Sequence, residues 1–161
     1  MERIKLILES PAYHKYLLKI EEKEIERPFC RHNFQHFLDV ARLAWIFVLE
    51  EENYSRDLVY AAALLHDIAR WQEYEGKGCH ALLSAKLAEP LLLEAGYLPW
   101  ERKLILDAIK EHRREEDDAY SSTLSRLVSK ADKYSRLCFQ CRAKNECYKS
   151  SKMPHDQQLF Y

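Results

Sequence analysis

The feature that most constrains the fold is the scarcity of chain-breaking residues. The 161-residue chain has only three glycines and five prolines, and its apolar residues recur at three- and four-residue spacing almost throughout. This spacing places them on one face of a helix, and no segment shows the alternation of a half-buried strand. The sequence therefore predicts an all-α fold, a single domain over residues 1–161 built as a bundle of about six helices.

Six segments are predicted to be helical, and prolines, glycines and capping residues indicate where they begin and end. Ser10 and Pro11 open the first segment, Asn53 or Ser55 caps the third, Pro90 is expected to kink or interrupt the fourth, and Gly96 follows it. The segments are residues 10–24, 33–51, 55–70, 79–95, the stretch that Pro99 opens and His112 ends, and 122–137. A cysteine-bearing tail, residues 138–161, follows.

Charge and hydropathy disfavour several classes of partner. With 25 basic and 26 acidic residues, the chain has no overall charge that would attract nucleic acid or an anionic membrane. No apolar run approaches the roughly 18 residues needed to span a bilayer. We therefore expect a soluble, cytoplasmic protein that binds neither nucleic acid nor membrane, and any phosphate binding must be local. The sequence leaves the oligomeric state open.

Ionisable side chains interrupt the apolar faces of the predicted helices. His36 points inward from the second segment, His66 and Asp67 lie beside the core near the end of the third, His112 ends an apolar stripe, and Asp132 follows one. Burying one unpaired carboxylate costs several kcal/mol or more, so two carboxylates beside three imidazoles need a shared partner. A divalent cation is the simplest candidate.

The types of these residues narrow the choice of metal. Neutral imidazoles with carboxylates suit one or two divalent ions such as manganese, iron, cobalt, nickel, zinc or magnesium, and no inward cysteine indicates a thiolate-rich zinc site among them. Adjacent helical residues point about 100 degrees apart, so His66 and Asp67 need His36 and Asp132 to arrive from other helices. Any one of these histidines alone is more often a hydrogen-bonded core residue than a ligand.

Five short motifs in order carry a resemblance to a known family. The segments "HNFQHFLDVARLA", "LLHDIA", "CHALLSA", "DAIKEHR" and "SKADKYSR" resemble the HD superfamily of metal-dependent phosphohydrolases, over residues of about 30–137. The resemblance implies that His36, His66, Asp67 and Asp132 hold a first metal. It also implies that two further histidines, His80 and His112, hold a second ion or grip a phosphate. This fuller pattern resembles the bacterial symmetrical diadenosine tetraphosphate hydrolases, HD proteins with a two-metal centre.

The function that this resemblance implies is hydrolysis of a phosphate ester or anhydride by metal-activated water, with Asp67 and His66 as the catalytic pair. The expected partner is a small phosphorylated substrate, a nucleotide or dinucleotide. Basic residues next to the motifs are candidates for phosphate binding: Arg70, Arg113 and Lys77, with Arg31 and Arg114 nearby. The alternative is a non-catalytic regulatory domain that binds metal and senses a nucleotide.

Three further histidines lie outside this set. His32 precedes His36 by one turn on the same predicted helix face and is a candidate partner that fixes the His36 ring, or it simply leads the helix. His14 and His155 have no informative context, and we expect both on the surface.

An odd number of cysteines, five, does not match the paired framework of a small secreted domain, so we expect reduced thiols or metal ligands. Cys138, Cys141 and Cys147 follow the spacing Cys-x2-Cys-x5-Cys, which resembles part of a zinc or iron–sulfur site with three thiolates. A fourth ligand would have to be Cys30, Cys79, His155 or water. Reduced structural thiols are the alternative.

Overall fold

A computed structural model describes residues 1–51, 54–115 and 117–159, and within these ranges it contains helices and turns but no strand. The all-α prediction is confirmed. None of the helices in the described ranges is long and apolar enough to cross a membrane. The elements are α1 (Glu2–Glu9), α2 (Pro11–Glu24), α3 (Phe34–Glu51), α4 (Arg56–Leu65), α5 (Arg70–Tyr74), α6 (His80–Glu94), α7 (Pro99–Glu111) and α8 (Thr123–Tyr134), followed by 3-10 turns at Cys138–Gln140, Lys144–Glu146 and Ser150–Lys152.

Each of the six predicted segments corresponds to one observed helix, and the two that the sequence did not predict, α1 and α5, are short. Ser10, with extended backbone, separates α1 from α2, and Pro11 occupies the first position of α2 as expected. Ser55 is the N-cap of α4, whereas the other candidate cap, Asn53, lies outside the described residues. Gly96 ends α6 with a φ of +79°, and the amide of Tyr97 donates back to Leu92.

The predicted helix over residues 55–70 is the main departure, because α4 ends at Leu65. The amide of Ala69 donates to Ser84 Oγ at 3.0 Å instead of to a carbonyl one helical turn earlier. The chain therefore turns through residues 66–69 before α5 begins at Arg70. His66 and Asp67 lie in this turn, where adjacent side chains are not held to helical directions.

The structure also decides two expectations about residues in or next to α3 and α6. Because α3 begins at Phe34, His32 is not on the helix face of His36 but leads the helix, which was the alternative reading. Pro90 does not interrupt α6. Pro90 and Lys86 are both exposed, so water can reach the Lys86 carbonyl that the proline leaves without an amide partner.

The core forms around α4, which packs on α3, α7, α6 and α8. From Ala61 to Leu65 every side chain of α4 is buried, and the three consecutive alanines keep the helix thin enough for neighbours on all sides. A helix buried all round ends inside the molecule. His66 and Asp67, the two residues that follow its last turn, therefore lie in the interior.

Candidate metal centre

Six ionisable side chains converge where α4 ends. His66 and Asp67 are 0% and 2% exposed. Four other elements bring the remaining members, and the Asp132 side chain, 22% exposed, is the most accessible of the set. His36 comes from the first turn of α3, His80 is the first residue of α6, His112 follows the last residue of α7, and Asp132 lies in the last turn of α8.

One group forms on the α3 and α8 side. The ligand atoms of His36, His66 and Asp67 all lie within 4.8 Å of one another. Nε2 of His66 is 3.5 Å from Asp67 Oδ2 and 3.7 Å from Asp132 Oδ1. Nε2 of His36 is 3.3 Å from the same Asp132 oxygen. The structure thus brings together the four residues expected to share a first metal.

A second group forms on the α6 and α7 side and shares Asp67 with the first. Ligand atoms of Asp67, His80 and His112 also lie within 4.8 Å of one another. Oδ1 of Asp67 is 2.9 Å from His80 Nε2 and 3.4 Å from His112 Nε2. The two oxygens of one carboxylate therefore face different histidine groups, which is the arrangement of a carboxylate that can bridge two ions.

Backbone carbonyls orient two of the rings. His66 Nδ1 lies 2.6 Å from the carbonyl oxygen of Ala63, and His112 Nδ1 lies 2.7 Å from that of Ile109. Because a carbonyl only accepts, each Nδ1 carries the proton. In the neutral ring Nε2 then keeps its lone pair and turns it toward Asp67, the tautomer that a metal-binding histidine needs.

Two buried polar atoms at this point lack hydrogen bonds within the described part of the chain: His66 Nε2 and Asp67 Oδ1. His80 approaches Oδ1 closely, but without the angle of a hydrogen bond. Buried polar atoms without partners are rare because they forfeit their hydration. A divalent cation would satisfy both atoms, so the donor set fits a metal such as those named above.

The electrostatics of the site keep both carboxylates ionised and the His36 ring neutral, as metal binding requires, whereas they favour the charged form of His66. Burial alone would raise the pKa of Asp67, but the charges of His66 and its neighbours outweigh burial and hold that pKa well below its usual range. The pKa of Asp132 is likewise held well below its usual range, because its neighbours His36, His66 and Arg136 outweigh burial. Burial, and then the charge of Arg136, lowers the pKa of His36 to about 3, so this ring is neutral. For His66 the two carboxylates outweigh burial and raise the pKa.

Arg136 is a site residue that the sequence reasoning missed. Its Nη2 lies 2.8 Å from His36 Nε2 and 3.5 Å from Asp132 Oδ1. Arg136 stands four residues after Asp132, within the quoted segment "SKADKYSR", and that helical spacing was the available signal. Because an arginine only donates, it uses the lone pair of His36 Nε2, so coordination by His36 requires this guanidinium to move aside.

His32 has a different partner from the one expected. Its ring is buried, with Nδ1 2.5 Å from Glu24 Oε1 and Nε2 3.5 Å from Asp67 Oδ2. Tyr74 donates to the same glutamate oxygen at 2.5 Å. Burial would raise the pKa of Glu24, but hydrogen bonds from His32 and Tyr74 outweigh it and hold that pKa at about 2. His32 thus joins a buried carboxylate to Asp67, a contact between distant segments that no sequence spacing indicated.

Two of the predicted phosphate-binding residues lie at the edge of the second group. Arg70 contacts Glu73 and the His80 ring, while the half-exposed Arg113 lies 3.3 Å from Glu73 Oε1. Glu73 Oε2 is 2.8 Å from His80 Nδ1, so this carboxylate holds both the ring and the arginines. The side chain of Glu73 is 28% exposed, which gives solvent access to this edge.

The other basic candidates have contacts elsewhere. Lys77 is exposed and pairs with Glu75 at 2.8 Å. Arg31 donates to the carbonyl of Ile25, and Arg114 contacts the carbonyl of Ala119. None of these contacts, within the described ranges, joins them to the six converging side chains, so their phosphate-binding role stays a prediction.

Four of the five cysteines meet at a separate place. All five are free thiols. Cys30, Cys138, Cys141 and Cys147 line one small cavity. Cys79, the fifth, lies instead at the start of α6, with its sulfur 3.6 Å from an Arg113 nitrogen. Burial, and then the charges of the other three cysteines at the cavity, raise the pKa of Cys138 to about 11.

The two histidines expected on the surface differ from each other. His14 is exposed. The prediction for His155 is wrong, because this residue is 1% exposed and its ring packs edge-on against Tyr134 at 5.3 Å. Its carbonyl accepts a hydrogen bond from Phe139 at 2.8 Å, which folds the tail back on itself.

Comparison with known proteins agrees with this geometry. Residues 33–137 match the family model described as HD domain, and the chain therefore belongs to the HD-domain family. It is also 36% identical, over 148 residues, to an uncharacterized protein of Clostridium beijerinckii, an alignment that covers 91% of this chain and 92% of that protein. No solved structure gave a match. The family resemblance identified from the motifs is confirmed, whereas a single domain over the whole chain stays a prediction.

Proposed function

We propose that this protein is a metal-dependent phosphohydrolase that cleaves a phosphate ester or anhydride in a nucleotide or dinucleotide. Membership of the HD-domain family supports the reaction class. The observation that carries the proposal is Asp67, whose two oxygens face separate histidine groups and whose Oδ1 has no hydrogen bond within the described residues. A divalent cation held there would polarise a phosphoryl oxygen and lower the pKa of a water molecule.

The six converging residues divide into two sets of ligands. His36, His66, Asp67 and Asp132 would hold the first ion, and Asp67, His80 and His112 the second. His66 and Asp67 are the catalytic pair in this proposal, because Asp67 belongs to both groups and Nε2 of the adjacent His66 lies 3.5 Å from Asp67 Oδ2. Asp67 orients the attacking water, and His66 is fixed in its ligand tautomer by the Ala63 carbonyl.

The arginines at the edge of the second group are proposed to bind the phosphate. Arg70 is largely buried and shares Glu73 with Arg113. A phosphate arriving at this edge competes with Glu73 for the guanidinium groups and accepts paired hydrogen bonds from them. Glu73 thus keeps the arginines in place until substrate arrives. We expect a small phosphorylated molecule rather than nucleic acid or a membrane, because the basic groups form a local patch on a nearly neutral chain.

The test is hydrolysis by protein that has been stripped with a chelator and reloaded with Mn²⁺ or Co²⁺. Substrates are diadenosine polyphosphates, nucleoside mono-, di- and triphosphates, and cyclic nucleotides, with products separated by chromatography. We expect Asp67→Asn to abolish turnover of the best substrate. The matched control is Asp39→Asn, which removes a carboxylate from the exposed side of α3. Asp39→Asn should retain wild-type turnover.

Absence of turnover above the Asp67→Asn background, for every substrate and metal, would reject the hydrolase. Nucleotide binding by the same inactive protein, measured by calorimetry, would then favour the regulatory domain. Turnover that survives Asp67→Asn at the wild-type rate would mean that the reaction takes place elsewhere.

A further inference from the structure

The four-cysteine cavity is a second cluster of metal-ligand side chains, and it lies on different segments from the histidines. Cys30 comes from the segment between α2 and α3, and Cys138, Cys141 and Cys147 come from the tail after α8. Phe29, Lys144 and Ser150 complete the lining. The structure therefore supplies, as Cys30, the fourth thiol that the tail spacing lacks.

The described part of the tail buries few apolar side chains. After α8 it forms three isolated 3-10 turns, and large apolar side chains such as Tyr148 and Leu159 are 81% and 58% exposed. Its buried members include Cys138 and His155. A segment with so little apolar burial commonly owes its fold to disulfides or to a bound metal. The four thiols are not paired as disulfides.

The size of the cavity helps to choose the kind of metal centre. The centre of a water-sized sphere can move through about 10 Å³ within it, so the cavity is larger than one such sphere. The centre of a sphere that touches a sulfur atom lies about 1.4 Å plus the radius of sulfur from that atom. This distance is longer than a Zn–S bond of about 2.3 Å. A cavity of this size, lined by four thiols, has room for a group larger than one tetrahedral ion.

We propose that Cys30, Cys138, Cys141 and Cys147 are the ligands of a [4Fe–4S] cluster that fastens the tail to the segment before α3. Four thiolates are the usual ligand set of such a cluster. Each thiol loses its proton on binding. The role is structural, and no electron transfer is part of it.

The cluster would also act on the candidate metal centre through the chain. Cys30 stands two residues before His32, and Cys138 stands two residues after Arg136. The two segments are joined by a hydrogen bond from Arg136 Nη1 to the carbonyl of Arg31 at 3.2 Å. Fixing both segments positions His32 against Asp67 and Arg136 against His36.

The test is the content of iron and acid-labile sulfide in full-length protein purified without oxygen. We expect about four of each per chain, a brown colour, and a broad visible absorption that fades on reduction. Cys141→Ser and Cys147→Ser should each lower labile sulfide at least several-fold. Cys79→Ser, the matched control outside the cavity, should keep it, and circular dichroism should show that the helical core of each variant remains folded.

Labile sulfide separates this proposal from the one made for the histidines, since iron alone could bind there. Asp67→Asn should therefore leave the sulfide content unchanged. One zinc per chain without sulfide would overturn the cluster, and sulfide that persists in both Cys141→Ser and Cys147→Ser would overturn the ligand assignment. Protein that holds neither sulfide nor a thiolate-bound metal would show that the four thiols are structural.

Discussion

Replacing Asp67 by asparagine should remove metal from both histidine groups at once. Its Oδ1 faces His80 and His112, and its Oδ2 faces His66. An amide keeps the shape of the side chain but loses the negative charge and one of the two oxygens. A substitution of His112 should affect the second group only, because that ring belongs to one group.

The expected magnitude follows from binding linkage. A ligand at 100 times its dissociation constant adds about 2.7 kcal/mol to the free energy of unfolding for each independent site. A domain of this size gains about 2–4 °C in Tm per kcal/mol, so each occupied site should raise Tm by about 5–11 °C. Wild-type protein should show the sum for two sites, His112→Ala about half of it, and Asp67→Asn almost none.

The assay compares each variant with itself, with and without saturating Mn²⁺, by calorimetry and by elemental analysis of dialysed samples. Differences in the stability of the metal-free variants then cancel. Asp39→Asn serves as the control and should keep the full shift. Wild-type metal content in Asp67→Asn, or the same loss of metal in His112→Ala as in Asp67→Asn, would refute a shared bridging carboxylate.

Three further results are expected. Ile109→Ala, at a fully buried core position, should lower the free energy of unfolding by about 2–5 kcal/mol in urea titrations of metal-free protein. The fold lowers the pKa of Glu24 from 4.5 to about 2. Its contribution to the free energy of unfolding is therefore present above about pH 4.5 and is lost as the pH falls toward 2. The difference in free energy of unfolding between wild type and Glu24→Gln should shrink over that range. Arg70→Met should lower kcat/KM by roughly 10–150-fold, the equivalent of about 1.5–3 kcal/mol for a hydrogen bond to a charged group, and an unchanged kcat/KM would exclude Arg70 from phosphate binding.

The fold was largely predictable because its elements are long and amphipathic. Apolar spacing located six of the helices, and Pro11, Ser55 and Gly96 marked limits that the structure retains. The end of α4 was not predictable, since it depends on Ser84, a residue of another helix that accepts the amide hydrogen bond of Ala69. Local sequence gives no information about such a partner.

The site residues that belong to sequence motifs were predictable, whereas those recognised only by their tertiary contacts were not. The six converging side chains all stand in the quoted segments, as does Arg136, which helical spacing from Asp132 could have revealed. The role of Glu24 was not predictable from the sequence, because Glu24 contacts His32 only in the tertiary structure. Lys77 was selected for its nearness in sequence, but its charge pairs with Glu75 instead.

Anomalous diffraction from crystals grown with Mn²⁺ tests most directly whether Asp67 holds two ions. We expect an anomalous peak within bonding distance of Asp67 on the side of His36 and His66, and at full loading a second peak on the side of His80 and His112. Both should vanish in Asp67→Asn crystals. Manganese bound only at surface carboxylates, with no peak beside Asp67, would contradict the assignment of Asp67 as a metal ligand.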